Sequence, residues 1–355
     1  MNQRRNVIVL AAVLLILTSV CRVPLASPVR LSFQLLFQIS VALMLAYGIW
    51  WKGNKWLSGI LILGTVSCFY PKFTIVSFYT FQVIVFGAMW YLILVHCLKR
   101  QYVSILLDAM CILAICNVIY QGIQIAGYDF IYNDIGKAPT TQAVGFMSNR
   151  NELGALLAFC LPAFFRRGWV WVVPVTMAGL IVTHCMGGVL AAGAITVVFL
   201  FWYLNTWMKI TVALTCILFA ALYGVFIDTH FDTSRLTAWG LMWELYKSNW
   251  ITGYGLGSFQ TIFMGLKEYF VTPYAQAHND LFQGVFEMGA GFAVLTVGYF
   301  VSIIRRINKR AILSLAAITG IVINSLVNFP FHVATTAMVA VTWMAILDND
   351  LRSTH

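Results

Sequence analysis

The stretch DTHFDTSRLTAWGLMWELYKSNWITGYGLGSFQTIFMGLKEYFVTPYAQAHND, residues 228–280, is the one long segment of this chain too polar to cross a bilayer. It opens on acids around His230 and Arg235. It closes on Ala277-His278-Asn279-Asp280, at the mouth of the next apolar run. Outward from it, nearly everything reads as lipid-soluble. The 355 residues are 61% hydrophobic and 10% charged, with mean hydropathy +0.85. A soluble domain carries about a quarter charged residues. The apolar runs are continuous rather than alternating, which excludes a spanning barrel. They predict an all-α polytopic membrane protein with residues 228–280 as its one large loop.

Twelve candidate spans follow: 7–20, 31–50, 57–70, 73–96, 102–126, 151–165, 168–184, 187–205, 209–227, 281–304, 311–327 and 331–347. Trp50, Trp51, Trp56, Trp169 and Trp207 sit at their ends, where interfacial aromatics gather. The chain thus divides into a bundle of about nine helices over 1–227, the loop over 228–280, and about three helices over 281–355. Met186-Gly187-Gly188 within 168–205 and Asn328-Phe329-Pro330 within 311–347 mark expected breaks, because Gly and Pro interrupt helices. The first span follows Arg4 and Arg5 without a small-residue cleavage site and reads as a retained helix.

Charge orients the spans. With a cytoplasmic N-terminus, fourteen of the 22 Lys and Arg residues fall inside and eight outside. Lys99-Arg100, Arg166-Arg167 and the cations of 305–310 share the inner side, so residues 228–280 face outward. The same distribution explains the net charge of +10 without nucleic acid, since most cations sit in short connections. The eight cysteines lie mostly within apolar runs, without CxxC or Cys/His ligand spacing. They read as small apolar residues.

Within the loop, residues 234–247 are expected to form an amphipathic helix, capped by Thr233 or Ser234. Leu236, Trp239, Met242, Trp243 and Tyr246 would share the face lying on membrane or bundle. Residues 253–257 read as a glycine turn. GxGxG without a preceding strand or a following Lys-Ser/Thr is no phosphate loop.

His278 is the imidazole of the loop placed at a helix mouth, and its ordinary pKa near 6.5 suits a general base. Asn279, Gln283 and Glu287 follow at i, i+4 and i+8, a polar stripe down an otherwise apolar helix. That stripe fits a substrate groove. For Asn279 and Gln283, a helix cap and interhelical hydrogen bonds serve equally well. Arg235 reads chemically either as an interface anchor or as a guanidinium set at headgroup depth for a phosphate. Arg150, with Asn149 before it, starts a run of only about 15 apolar residues, roughly 22 Å long. A helix N-terminus favours anions, and anchoring at the interface is the equal alternative. His184, His230 and His332 also face outward in this topology. With no acid or cysteine at ligand spacing they make a poor metal site, and no cofactor is expected.

Thr233-Ser-Arg235-Leu-x-x-Trp239, Gly253-Tyr-Gly255-Leu-Gly257-Ser-Phe259, and Ala277-His278-Asn279-Asp280 with Gln283 and Glu287-Met-Gly289 together resemble the core of the O-antigen ligase/O-antigen polymerase superfamily. Gly145-Phe-x-x-Asn149-Arg150-Asn151 and Asn328-Phe-Pro330 resemble an earlier and a later segment of it. The resemblance covers roughly the second half of the chain. It implies a glycosyltransferase C-type fold in the bacterial inner membrane, with a periplasmic loop over the site. It implies a glycan donor on undecaprenyl diphosphate and no metal. The acceptor would be lipid A core, a growing glycan or a protein. Arg235 then matches the arginine that binds the diphosphate and His278 the essential histidine. Arg150, Asn149, Asn279, Gln283 and Glu287 are the expected substrate-binding residues beside them. One departure stands out. Many members carry Ser-Arg-Gly where this chain has His184-Cys-Met186-Gly187-Gly188. The rival class is a secondary transporter or polysaccharide exporter, which would carry buried charges and an internal repeat. A non-enzymatic assembly factor is the third.

Overall fold

The computed structural model describes residues 2–20, 55–70, 74–129, 143–147, 149–203, 233–265 and 276–352. Among them stand thirteen α-helices and no strand, so the protein is all-helical. In order they are α1 (Asn2–Val20), α2 (Lys55–Phe69), α3 (Ile75–Cys97), α4 (Val103–Ile125), α5 (Arg150–Arg167), α6 (Val173–Val182) and α7 (Met186–Tyr203). Then come α8 (Thr233–Ser248), α9 (Ser258–Gly265), α10 (Asp280–Met288), α11 (Ala290–Ile304), α12 (Ile312–Ser325) and α13 (Ala334–Arg352).

Two helices form the centre. On α5 every residue from Glu152 to Phe164 is buried, and α13 is buried along nearly its whole length. A helix apolar on all sides needs neighbours on all sides. α4, α6, α7 and α12 surround α5, and α13 joins it to α1 and α3. A smaller group, α2 with α3 and α11, lies on the far side of α3. The indole of Trp343 donates to Phe159 O (2.8 Å) and that of Trp90 to Thr342 Oγ1 (3.1 Å). Each buried N–H thereby finds a partner while its ring fills the core.

The charges gather at the ends. Arg166 grips Asp350 with two hydrogen bonds (2.7 and 2.8 Å), and Ser314 Oγ also donates to that carboxylate. Arg100, Lys309 and Arg310 line the same depression. The cation clusters near residues 100, 166 and 310 therefore share one end of the bundle. Arg150 lies at the other end of α5, roughly 26 Å away at 1.5 Å per residue. The flanks are apolar: Ile62, Val66, Ile75, Ile181, Val294 and Ile304 are each at least 60% exposed.

By length and composition, two helical runs among the described residues are fit to cross a membrane, Ile75–Cys97 and Arg100–Ile125. α2, Val170–Val182, Met186–Trp202 and α11 are apolar but shorter. The expected spans 31–50 and 209–227 lie outside the described residues, as do His230, Asp228 and Asp232. The two expected breaks are present. α6 and α7 part at residues 183–185, where His184 takes φ 49°, just ahead of Met186-Gly187-Gly188. α12 and α13 part around Asn328-Phe329-Pro330.

Three expectations need correction. The run 281–304 is not one helix: it divides at Gly289, φ 71°, into α10 and α11. The helix expected over 151–165 is 18 residues long, about 27 Å, because Arg166 and Arg167 continue it until Gly168 turns left-handed. α8 is present, but its buried face is rotated. Ala238 and Met242 are buried, whereas Leu236 and Trp243 are each 51% exposed. Ala238 and Met242 pack with Phe259, Phe263, Ala277 and Phe286, so the loop helices share a core with α10.

Candidate functional site

The loop between α12 and α13, residues 326–333, is the hub on which the expected site residues converge. Arg235, in the first turn of α8, donates from Nη1 to Val327 O (3.4 Å). Asn328 Nδ2 donates to Asn151 O at the start of α5 (3.3 Å), beside Arg150. The ring of Phe329 meets His278 edge-on, centroids 4.7 Å apart. Phe331 N and His332 Nδ1 both bond the carboxylate of Asp280 (3.0 and 2.7 Å).

Two poles result, one at Val327 and Asn328 and the other at Phe331 and His332. On the first, the charges of Arg150 and Arg235 both act on the Cys185 thiol at the start of α7. α7 comes close because Gly187 and Gly188, in its first turn, lack side chains. A Cβ on Gly187 would lie 3.1 Å from Asn324 Nδ2, and one on Gly188 would meet Gly154 O at 2.6 Å. Asn324 is wholly buried, and neither its amide nitrogen nor its oxygen has a hydrogen-bond partner among the described residues. A buried amide left so costs about 1–3 kcal/mol, which calls for water or a ligand atom beside it. This amide stands beside Gly187, in the segment 184–188.

The second pole is acidic. Asp280, Gln283, Glu287 and His332 line the head of a cavity among α2, α3, α10, α11, α12 and α13. Gln283 Oε1 accepts from Ala277 N (2.9 Å), which fixes its amide orientation. Its Nε2 then reaches Gln276 Oε1 (3.0 Å), Glu287 Oε1 (3.2 Å) and His332 Nε2 (3.5 Å). A carboxylate only accepts, so the ionised Asp280 places a proton on His332 Nδ1.

His278 lies between the poles on a clamped backbone. Trp239 Nε1 donates to Ala277 O (2.6 Å), while Gln283 holds the N–H of the same residue. On the other side Asn279 caps α10 by accepting from Phe282 N (2.9 Å). His278 itself has φ 53°, a left-handed conformation unusual for a residue with a Cβ. Such a conformation persists where its surroundings over-determine it.

Neither a match to a family model nor one to a curated protein was found for the chain. The assignment of chemistry therefore rests on residues and geometry.

Of the expected site residues, Arg235, Arg150 and His278 are brought to the one loop. Gln283 and Glu287 form the expected stripe and turn it inward, 4% and 2% exposed. Asn149 and Asn279 both serve as helix caps. Asn149 Oδ1 accepts from Asn151 N (2.9 Å) and Glu152 N (3.0 Å), and its Nδ2 donates to Glu152 Oε1 (2.8 Å). The glycine turn is a clasp. Tyr254 N and Gly255 N donate to Phe286 O (3.0 Å) and Glu287 O (2.9 Å), binding the turn to the end of α10. Sequence reasoning did not single out Asp280 as a partner for His332, nor Phe329, Asn324 or Trp239 in these roles. His332 had been weighed only as a metal ligand. Among the described residues no group of three His, Cys, Asp or Glu is placed to hold a metal ion.

Proposed function

We propose that this protein is a membrane-embedded glycosyltransferase of O-antigen ligase/polymerase type. It would move a glycan from undecaprenyl diphosphate to an acceptor hydroxyl at the outer face of the bacterial inner membrane, without a metal. The glycosyltransferase C-type architecture of about twelve spans belongs to the same proposal. The apolar flanks of the bundle, the gathering of Arg100, Arg166, Lys309 and Arg310 at one end and the hydropathy of the chain support a membrane setting. The observation that carries the reading is the convergence of Arg235, His278 and Asn151, the residue after Arg150, on residues 327–329.

In this reading the acceptor hydroxyl attacks the anomeric carbon while His278 takes its proton. The bond to the diphosphate breaks, and the undecaprenyl diphosphate leaves with its added negative charge. A guanidinium matches phosphate oxygens through paired hydrogen bonds. Stabilising that growing charge is where a preorganised cation contributes most. The acceptor is lipid A core, a growing glycan or a protein such as pilin. The test is incubation of purified protein with an undecaprenyl-diphosphate-linked glycan and each acceptor in turn. A covalent glycan–acceptor product supports the reading; unchanged donor with every acceptor opposes it.

A second reading has its own support. Asp280, Glu287 and His332 are ionisable groups buried among apolar helices, and α6/α7 and α10/α11 are broken pairs. Buried ionisable groups beside interrupted helices also characterise secondary transporters. Proteoliposomes separate the two: coupled substrate and proton movement without product formation favours transport.

A further inference from the structure

We propose that the cavity under the acidic pole binds a single apolar chain ending in a hydroxyl group, a site separate from the arginine pole and independent of the transferase reading. The cavity holds about 280 Å³, near the lower end of small-molecule sites, which run from roughly 300 Å³. Thr80, Val83, Ile84, Gly87, Ala88 and Tyr91 form its stripe on α3, a length of about 16 Å at 1.5 Å per residue. The walls below the head are mainly aliphatic and aromatic, among them Leu61, Phe292, Ile321 and Val341.

The head decides the class of ligand. Two carboxylates, one imidazole and one amide line it, and no Lys or Arg among the described residues does. The imidazole of His332 is already paired with Asp280, so the wall holds no cation left over for an anion. A phosphate or carboxylate there would be buried without a counter-charge, which is costly. A hydroxyl donates instead. An ionised carboxylate offers roughly four acceptor positions. Glu287 Oε1 takes bonds from Phe259 N (3.3 Å) and Gln283 Nε2 (3.2 Å). The carboxyl group lines the cavity and has acceptor capacity beyond these two bonds for a ligand donor. Arg235, which suits a diphosphate, bonds Val327 O and is not part of the cavity lining. Anionic and neutral heads are thus sorted to different sites.

The test uses the full chain in nanodiscs and three photoreactive probes with a diazirine on the same sixteen-carbon chain: hexadecanol, hexadecanoic acid and hexadecyl phosphate. Labelled peptides are mapped by mass spectrometry. The alcohol is expected to label the cavity faces of α3 and α11 about tenfold more than either anion, and unlabelled hexadecanol to compete. A tenfold preference corresponds to about 1.4 kcal/mol. Gly87→Leu should suppress labelling, since a Cβ there meets only Val341 Cγ2, at 3.8 Å, and the longer side chain enters the cavity. If that variant does not accumulate, competition in the wild-type protein decides. Equal labelling by hexadecyl phosphate, or uncompeted labelling confined to the outer positions Ile62 and Val294, overturns the proposal. Glycan transfer is not read, so this result stands apart from the fate of the transferase reading.

Discussion

Asp280 Oδ1 lies 2.7 Å from His332 Nδ1, and the carboxylate is 6% exposed. The pair joins the first residue of α10 to the turn before α13 across 52 residues of sequence. Removing one member of a buried pair strands the other, which costs about 3–5 kcal/mol. His332→Ala is therefore expected to lower the unfolding midpoint of the purified protein markedly. Asp280→Asn combined with His332→Ala should cost less than the sum of the single changes. A double-mutant cycle read by thermal unfolding checks it; strict additivity would show that the two side chains do not interact.

The α10/α11 break should tolerate no side chain. A Cβ on Gly289 would lie 2.1 Å from Ile251 O, and one on Gly253 would lie 2.6 Å from Glu287 O, both at positive φ. Gly289→Ala and Gly253→Ala are expected to abolish accumulation of folded protein. Gly240→Ala is the control. It has nothing within 4 Å and lies inside α8, where Ala is favoured over Gly by about 0.8–1 kcal/mol. Comparable folded yields of all three would contradict the clasp.

Trp239 and Trp243 should behave differently. Trp239 holds Ala277 O, the residue before His278, whereas Trp243 is 51% exposed. Trp239→Phe keeps the ring but removes the donor, and is expected to reduce transfer more than protein level. Trp243→Ala is expected to leave transfer within about twofold, as an exposed substitution shifts stability by roughly 0.5 kcal/mol. Activity and level measured together separate the two outcomes.

The particulars explain which features were legible beforehand. Gly187-Gly188 pointed close to one break, which falls at His184 just ahead of them, the two glycines being helical. Pro330 interrupts a helix through backbone chemistry, so that break was readable. The break at Gly289 was not, because apolar residues run on through both sides and a lone glycine is tolerated within helices. The expected face of α8 sets Leu236 and Trp243 beside Met242 and omits Leu241 and Leu245, which pack against the loop core. In fact Phe259, Phe263 and Phe286 cover Ala238 and Met242, while Leu236 and Trp243 remain outside. Arg235, Arg150 and His278 could be singled out by their places at polar helix ends. The contacts of Arg235 and His278 with residues 327–329 could not, since nothing local encodes a meeting across 92 residues. Asp280 and His332 were each visible as polar residues at a helix mouth; only the packing of α10 against the 326–333 loop makes them a pair.

The arginine and the imidazole are given distinct chemical tasks, and their conservative substitutions should separate them. Arg235→Lys keeps the charge but not the planar fork, so it should retain more transfer than Arg235→Ala. His278→Gln keeps a hydrogen-bonding side chain of similar reach but cannot take a proton at neutral pH. It should fail as fully as His278→Ala in a turnover assay. Partial survival of His278→Gln would make His278 a positioning group for the acceptor rather than the base.

The most direct measurement is the initial rate of glycan transfer from an undecaprenyl-diphosphate-linked donor by purified wild-type, Arg235→Ala and His278→Ala proteins, each with and without EDTA. Loss of a general base typically costs ~10²–10⁴-fold and loss of a charge-stabilising donor ~10²–10³-fold. Both variants are therefore expected to insert normally yet transfer at least a hundredfold more slowly, with the wild-type rate unchanged by EDTA. A wild-type rate in His278→Ala at normal protein level would contradict the account, and so would abolition of wild-type transfer by EDTA.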